Sequence, residues 1–337
     1  MLKLCRHLQM HEIPGDVGIE IEAEYRSAAP HSNNMPSGWQ VKGDGSLRFL
    51  GKEFVTRNPI RISEVRDKVA AIMREASSPA YDPIINSPRS GVHVHVNVSS
   101  RNLLEIYNNI TAYWLLENLF IKYCGEDTRE GNNFCLRLCD SEGTLDSFIR
   151  DMKSTPFMAL STEIRYMSQN ISSILKHLSL EYRGMRGTMD PEIITEWTEA
   201  LWALSVSSAT FPSPAHLFEV YENSDPEGIL RVLLPGQNSF IENLKRIPNW
   251  NSVMFETLDI LDRFVYAVNW DTFKRKWGGN TTVPETTGTP LGPTRLNYIP
   301  IPPGMQTINP QEQFMAAVDG VLSEDDFEEP EFDEDVV

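Results

Sequence analysis

The sequence predicts an α+β fold, with its strands in the first 190 residues. Five segments of this part alternate apolar and polar residues, as strands with one face on a core do. Between and after them, apolar residues recur at helical spacing as far as Trp277. The chain has 337 residues, of which 41% are hydrophobic and 23% charged, so a sizeable core in one large domain or two is expected.

The first and third predicted strands carry the carboxylates Glu20, Glu22 and Glu53. In GDVGIEIEAEY, Glu20, Glu22 and Glu24 lie on the face opposite to Val17, Ile19 and Ile21. The segment WQVKGDGS runs into a Gly-Asp-Gly turn, and KEFVTRNP, with Glu53 near its start, ends at Pro59.

The fourth predicted strand, GVHVHVNV, presents two imidazoles on one face. Its valines face the core, whereas His93, His95 and Asn97 share the opposite face. The two rings are expected roughly 7 Å apart. The fifth strand, Leu178–Tyr182, continues the pattern with Glu181 and Arg183 on one face, and GMRGTMDPE after it predicts a turn and the start of a helix.

Helices are predicted between and after these strands. Their expected bounds are Ile62–Ala76 with Ser63 as N-cap, Asn102–Cys124, Gly143–Met152, and a helix capped by Asp190 that runs to about Val206. Further helical patterns follow up to Trp277, which closes a predicted domain of residues 1–277, with its motifs in 17–209 and a helical remainder in 210–277.

The composition changes after Gly278. Residues 278–322 are rich in Gly, Thr and Pro and contain one short apolar patch, which indicates a linker. Residues 323–337, SEDDFEEPEFDEDVV, hold nine acids and no base. This tail is expected to be disordered and solvated. The alternative is a docking segment for a basic partner, because two aromatic residues, Phe327 and Phe332, lie between the acidic residues.

Composition also excludes several classes of protein. The net charge is −17, and −8 without the acidic tail, which disfavours broad electrostatic binding to a nucleic-acid backbone. The sequence has no apolar run long enough for a membrane span and no signal-peptide pattern. With only four cysteines, a reduced cytoplasmic protein is expected.

The carboxylates and histidines carry the chemical prediction together rather than singly. Alone, a Glu-x-Glu is more often a solvated strand face, and a His-x-His is as often structural as metal-binding. On facing strands, four carboxylates (Glu20, Glu22, Glu53, Glu181) and two imidazoles destabilise one another unless a cation offsets their charge. Mg²⁺ or Mn²⁺ suits these ligands, and their number is enough for two ions.

Arginines beside such a metal site indicate phosphate chemistry. Arg165, Arg183 and Arg186 are candidates for offsetting charge on a transferred phosphoryl group. The chain has no G-x-x-x-x-G-K-[ST] and no G-x-G-x-x-G motif, so an ATP site here has to be built on metals rather than on a glycine-rich loop.

A series of motifs resembles the putative amidoligase family over about Val17 to Ala209. In order they are GIEIE, DGSL with EFVT, GVHVHV, REGNNFC, RYxxxN and LEYRGMRGTMD. The resemblance implies a twisted antiparallel sheet of the glutamine synthetase type, with helices on one face and ATP with two divalent ions on the other. It also implies a carboxylate–amine ligase that works through an acyl phosphate. Such families are common in bacteriophages, which implies the host cytoplasm as the location for a phage member.

The resemblance assigns roles to individual residues. The expected metal ligands are Glu20, Glu22, Glu53, His93 and Glu181, with Asp44 a weaker candidate. His95 is expected to shape the neighbouring substrate or phosphate region, and Arg183 to contact phosphate. Arg165, Asn170 and Arg186 are expected phosphate or substrate contacts, and Arg129, expected on a loop, is a candidate for the substrate carboxylate.

Three other functions stay open at this point. The same fold could phosphorylate a guanidine or amine, the same ligands could serve a metal-dependent hydrolase that needs no ATP, or the chain could be a binding protein that uses its acidic tail. The acid and the amine are not specified by the sequence. Small molecules, peptides, proteins and a modified nucleic-acid base are the candidate substrates.

Overall fold

Six strands form a single antiparallel sheet in the computed structural model, which describes residues 2–161 and 166–277. The strands are β1 (Val17–Tyr25), β2 (Trp39–Gly43), β3 (Leu50–Thr56), β4 (Gly91–Asn97), β5 (Gln169–Asn170) and β6 (Ser179–Arg186). Their order across the sheet is β2-β3-β1-β4-β6-β5, and each neighbouring pair is antiparallel. The predicted α+β class with an antiparallel sheet is confirmed.

Thirteen helices are present in the described residues. They are α1 (Leu4–His7), α2 (Val65–Ala76), α3 (Leu103–Arg129), α4 (Glu142–Ser154), α5 (Pro156–Ser161), α6 (Ser173–His177), α7 (Pro191–Ser208), α8 (Pro214–Asn223), α9 (Pro226–Leu233), α10 (Asn238–Lys245), α11 (Trp250–Val253), α12 (Leu258–Val265) and α13 (Trp270–Trp277). The C-terminal part is helical, as predicted.

One face of the sheet forms the hydrophobic core. Ile19 and Ile21 of β1 and Val92 and Val94 of β4 are fully buried on this face. Helix α3 packs on β6 and helix α7 on β4. The alternation in the sequence therefore predicted the core face of both strands correctly, and it leaves the opposite face to the polar residues.

Two predicted helix starts have different outcomes. Asp190 is the N-cap of α7, as predicted, since its carboxylate accepts hydrogen bonds from the backbone N–H groups of Glu192 and Ile193. The N-cap predicted at Ser63 is wrong. Residues Ile62–Glu64 form a 3₁₀ turn, and α2 begins only at Val65.

Helix α3 is longer than predicted and contains a break at Gly125. Gly125 has φ 112° and ψ 74°, outside the helical region. A Cβ at this position would lie 2.7 Å from Cδ of Arg186, so glycine is needed both for the backbone angle and for the close approach. The helix continues to Arg129, which is buried. The expectation that Arg129 lies on a loop is therefore wrong.

Strand β6 contains a β-bulge opposite His93. Val94 pairs with Tyr182 and Val92 pairs with Met185, so two residues, Arg183 and Gly184, oppose the single residue His93. The strand extends to Arg186 instead of ending at Tyr182. The turn predicted at the start of GMRGTMDPE therefore begins later.

The described elements belong to one compact unit within Met1–Thr281. The predicted linker and acidic tail, residues 278–337, lie outside the described residues. Among the helices that the structure describes, none is long and apolar enough to cross a membrane.

Candidate active site

The polar face of the sheet brings the predicted carboxylates and imidazoles together. Glu20 of β1 is the Cα partner of His93, and Glu22 is that of Glu53 on β3. His95 in turn pairs with Glu181 on β6. Directly paired residues project from the same face of a sheet, so all of these side chains share the face opposite to the core.

Three of these residues can offer donor atoms to one cation. Glu20, His95 and Glu181, here called the three-donor group, each have a ligand atom within 4.8 Å of the others. Nε2 of His95 lies 3.2 Å from Oε1 of Glu20, but the geometry is not that of an aligned hydrogen bond. Nδ1 of the same ring lies 3.0 Å from Oγ of Ser179, which orients it. A buried ring nitrogen that faces carboxylates without an aligned partner fits a metal ligand.

His93 lies among three carboxylates. Its Nδ1 is 3.4 Å from Glu20 Oε2 and 3.7 Å from Glu181 Oε1, and its Nε2 is 3.8 Å from Glu22 Oε1. Both histidines are therefore close to the carboxylates. The three-donor group contains His95 and not His93, and the metal-ligand role that the sequence resemblance assigns to His93 stays a prediction.

Burial and mutual repulsion shift the acidities of the cluster. Burial raises the pKa of Glu22. Burial and the charge of the neighbouring Glu20 raise the pKa of Glu53 to about 7. Burial alone would also raise the pKa of Glu20, but His93 and His95 outweigh it and the pKa is lowered. A divalent cation would stabilise the ionised form of all three carboxylates.

Arg183 joins the cluster through Glu181. Its Nη1 donates to Glu181 Oε1 at 2.5 Å, and Nδ2 of Asn170 donates to Glu181 Oε2 at 2.6 Å. Burial alone would raise the pKa of Glu181, but His95 and Arg183 lower it, so this carboxylate is held ionised. The Nε of Arg183 donates to the carbonyl of Phe134 at 3.3 Å, which fixes the guanidinium beside the cluster.

Gly91 allows a close approach at the other end of the cluster. Its backbone N–H donates to Glu22 Oε2 at 2.7 Å. A Cβ on Gly91 would lie 2.6 Å from Nη2 of Arg129 and 3.1 Å from Nε2 of His93. Any larger residue there would displace groups of the site.

Arg129 is engaged by the backbone of the β6 bulge. Its Nε donates to the carbonyl of Gly184 at 3.1 Å, and its Nη2 donates to those of Arg183 and Met185 at 3.0 and 2.9 Å. The guanidinium thus binds three consecutive carbonyls at the bulge, which fixes the backbone of β6 there. The substrate role expected for Arg129 stays a prediction.

Two cavities open on either side of the cluster. The first, called the Glu20 cavity, has about 360 Å³, reaches Glu20 and His95, and is rimmed by the exposed cations Lys42, Arg57 and Lys176. The second, called the Glu22 cavity, has about 340 Å³ and is lined by Glu22, Ile84, Ile85, Asn86, Ser87, Ser90, Thr128, Arg186, Gly187, Thr188 and Met189. Both volumes are typical of small-ligand pockets. A larger cavity of about 430 Å³ lies between α7 and α10 and is lined by none of the cluster residues.

The remaining predicted residues are placed less centrally. Arg186 lines the Glu22 cavity, Asp44 accepts hydrogen bonds from Ser46 within its own turn, and Arg165 lies outside the described residues. The cations of the Glu20 cavity were not among the predicted site residues. Lys42 had a weak signal in the sequence, because it alternates with Trp39 and Val41 and so falls on the polar face of its strand. Its pairing with Glu53 across β2 and β3 is visible only in the structure.

One family model matches the part of the chain that carries the site. The sequence model of the family described as a putative amidoligase enzyme matches residues 4–205, which include all six strands and every residue of the cluster. No curated protein matches the chain. Since the match covers more than half of the sequence, the chain belongs to the putative amidoligase enzyme family.

Proposed function

We propose that this protein is an ATP-dependent carboxylate–amine ligase that forms an amide or isopeptide bond with the help of two divalent ions, Mg²⁺ or Mn²⁺. Membership of the family supports a ligase in general terms. The observation that carries the finer proposal is the three-donor group, with Arg183 bonded to Glu181 beside it. A partly buried set of carboxylates and imidazole fits Mg²⁺ or Mn²⁺ with a phosphate chain better than it fits a structural zinc site.

The chemistry requires such a site because a carboxylate is already anionic and reacts poorly with an amine. In the proposed reaction, a carboxylate oxygen attacks the γ-phosphorus of ATP and ADP leaves. The neutral amine then attacks the acyl phosphate, inorganic phosphate leaves, and the amine gives up a proton. Both steps place negative charge on phosphate oxygens, which cations in a water-poor site stabilise.

The chain's own residues divide these tasks. Glu20, His95 and Glu181 are proposed to hold one ion, and the facing pair Glu22 and Glu53 to hold the second. Bound there, the ions would offset the charge of the phosphates and of the leaving group. His93, between three of the carboxylates, is proposed as a ligand or as the group that orients them.

The cations around the cluster are proposed to bind ATP. Arg183 would contact the transferred phosphoryl group, with Asn170 and Arg165 as further contacts of phosphate or substrate. The Glu20 cavity would hold the phosphate chain, because Lys42, Arg57 and Lys176 surround its mouth in a chain whose net charge is −17. Cations gathered at one opening of an acidic protein favour a polyanionic ligand at that opening.

The partners are proposals as well. The reaction needs one carboxylate and one amine, from small molecules, peptides or proteins, and a nucleic-acid base is a further candidate. The acidic residues 323–337 are proposed to dock a basic partner, and the cytoplasm is the proposed location. Full activity of a chain truncated before Ser323 on its own substrate would remove the docking role.

Thermal unfolding with metal and ATP tests the nucleotide site. For the wild type with Mg²⁺ or Mn²⁺, ATP at 100 times its dissociation constant should stabilise the folded state by about 2.7 kcal/mol. Glu20→Gln should lose this stabilisation, whereas Glu222→Gln, at an exposed position of α8, should keep it. Stabilisation by metal but not by ATP would favour a hydrolase instead.

Product analysis then separates the ligase from a kinase of similar fold. Release of ADP and phosphate together with an amide, only when both an acid and an amine are present, is expected. A phosphorylated amine or guanidine as the stable product would overturn the proposal and support the kinase.

A further inference from the structure

We infer that the Glu22 cavity is the pocket for the acid substrate, and that Arg186 and Ser90 bind a carboxylate of that substrate there. The inference rests on the proposed function and adds a substrate class and a place to it. The ligand would be a small carboxylic acid or one acidic side chain, a size that suits a cavity of about 340 Å³ at the lower end of the range for ligand pockets.

Arg186 is held at the cavity but has few bonds within the protein. In residues 2–161 and 166–277, its guanidinium makes a single hydrogen bond, a long one from Nη1 to the carbonyl of Tyr123 at 3.4 Å. Its stem passes the break in α3 at Gly125, where a Cβ would lie 2.7 Å from its Cδ. A guanidinium has five N–H donors in a planar fork that matches a carboxylate. Most of these donors therefore remain for a ligand in the cavity that Arg186 lines.

Ser90 supplies a second, independent sign of a ligand. Its side chain is only 4% exposed, it lines the same cavity, and within the described part of the chain its Oγ has no hydrogen-bond partner. The backbone around it is fixed, because the Ser90 carbonyl accepts a hydrogen bond from the N–H of Gly187 at 2.8 Å. A buried hydroxyl without a partner is costly, which indicates a polar ligand atom beside it.

The rest of the lining matches a small acid rather than a nucleotide. Among the described residues that line the Glu22 cavity, Arg186 is the only cation, whereas three described cations surround the Glu20 cavity. One cation suits one carboxylate, and Ile84, Ile85 and Met189 offer an apolar wall for an aliphatic chain. Glu22, which forms part of this lining, belongs to the cluster itself, so an acid bound here adjoins the proposed metal site. The acid and the nucleotide would thus reach the cluster from different sides.

The test uses the full chain and small carboxylates as probes. Acetate, butyrate, glutarate, L-aspartate and L-glutamate are titrated by calorimetry, with and without Mg²⁺ and a non-hydrolysable ATP analogue. The variants are Arg186→Gln, Arg186→Lys and Ser90→Ala, with Arg57→Gln of the Glu20 cavity as the matched control. The unfolding temperature of each unliganded variant verifies that it is folded.

We expect at least one probe to bind the wild type, and to bind Arg186→Gln at least about tenfold more weakly. Arg186→Lys should bind the probe more tightly than Arg186→Gln because it keeps the charge. Ser90→Ala should lose less affinity for the probe than Arg186→Gln does. Arg57→Gln should bind the carboxylate probe with the affinity of the wild type, but it should bind the ATP analogue more weakly than the wild type does. This crossed pattern is what two separate pockets require.

Two results would overturn the inference. One is equal affinity of the probe for the wild type and Arg186→Gln, and the other is a wild type that binds none of the probes under either condition. Failure of the proposed function would look different, because the wild type would then bind no ATP analogue. If a probe then bound the wild type without nucleotide, and bound Arg186→Gln more weakly, that result would still support the pocket.

Discussion

Replacing Glu53 by glutamine is expected to stabilise the metal-free protein at pH 8 but much less at pH 5. Burial and the charge of Glu20 raise the pKa of Glu53 from 4.5 to about 7. The folded chain therefore binds more protons than the unfolded chain between these two values, and the free energy of unfolding falls as the pH rises through this window. Glutamine keeps the shape of the side chain and carries no charge, so burial and the charge of Glu20 do not destabilise it.

The size of the effect follows from the two pKa values. Each pKa unit corresponds to 1.36 kcal/mol, so the difference between 4.5 and about 7 sets an upper limit of about 3.4 kcal/mol. Solvent screens this carboxylate, which is only partly buried. We therefore expect a gain of about 1–3 kcal/mol at pH 8 relative to pH 5, or a few degrees in unfolding temperature.

Urea unfolding in EDTA at pH 5 and pH 8 measures this difference, with Glu222→Gln on the exposed face of α8 as the control. Saturating Mn²⁺ should then reverse the order at pH 8, because the wild type offers a carboxylate that Glu53→Gln lacks. Equal stability of wild type and Glu53→Gln at pH 8 without metal would refute the electrostatic reasoning. A gain of the same size at both pH values would refute it as well, since the gain would then come from packing.

Further predictions concern two groups of the cluster, Arg183 and Gly91, and one buried carboxylate of α3, Glu117. Arg183→Ala should weaken the affinity for Mg²⁺·ATP more than the affinity for Mn²⁺ alone, and calorimetry that finds equal losses would remove Arg183 from the phosphate role. Gly91→Ala should lower the free energy of unfolding, measured with urea, by about 1–3 kcal/mol and should weaken Mn²⁺ binding, because its Cβ would lie 2.6 Å from Nη2 of Arg129. Unchanged Mn²⁺ affinity would contradict this prediction. Glu117→Ala should lower the free energy of unfolding by about 1–3 kcal/mol or more. The buried N–H of Leu138, which donates to Glu117 Oε2 at 2.6 Å, would lose its acceptor. A decrease below about 0.5 kcal/mol in the same assay would contradict this prediction.

Alternation in the sequence was enough to predict which face each central strand turns to the core. It could not predict which strands become neighbours, because the order β2-β3-β1-β4-β6-β5 depends on connections that cross the sheet. For the same reason, the sequence could not predict which of His93 and His95 lies with Glu20 and Glu181 in the three-donor group. Both lie on one face, and only the positions of Glu20 and Glu181 on the flanking strands decide which ring completes the three-donor group.

The bulge in β6 shows how a local rule fails at a functional position. Strict alternation from Glu181 would place Met185 on the site face and turn Arg186 into the core. Instead, the extra residue opposite His93 shifts the phase, so that Met185 is fully buried and Arg186 lines the Glu22 cavity.

The carbonyls of this bulge are held by Arg129, more than fifty residues earlier in the chain. No pattern within LEYRGMR reports that contact, because its partner Arg129 lies at the end of α3, beyond the break at Gly125. Arg129 and Gly125 thus act on the site through the backbone of β6, and this long-range cause explains why the orientation of Arg186 does not follow from its own neighbours in the sequence.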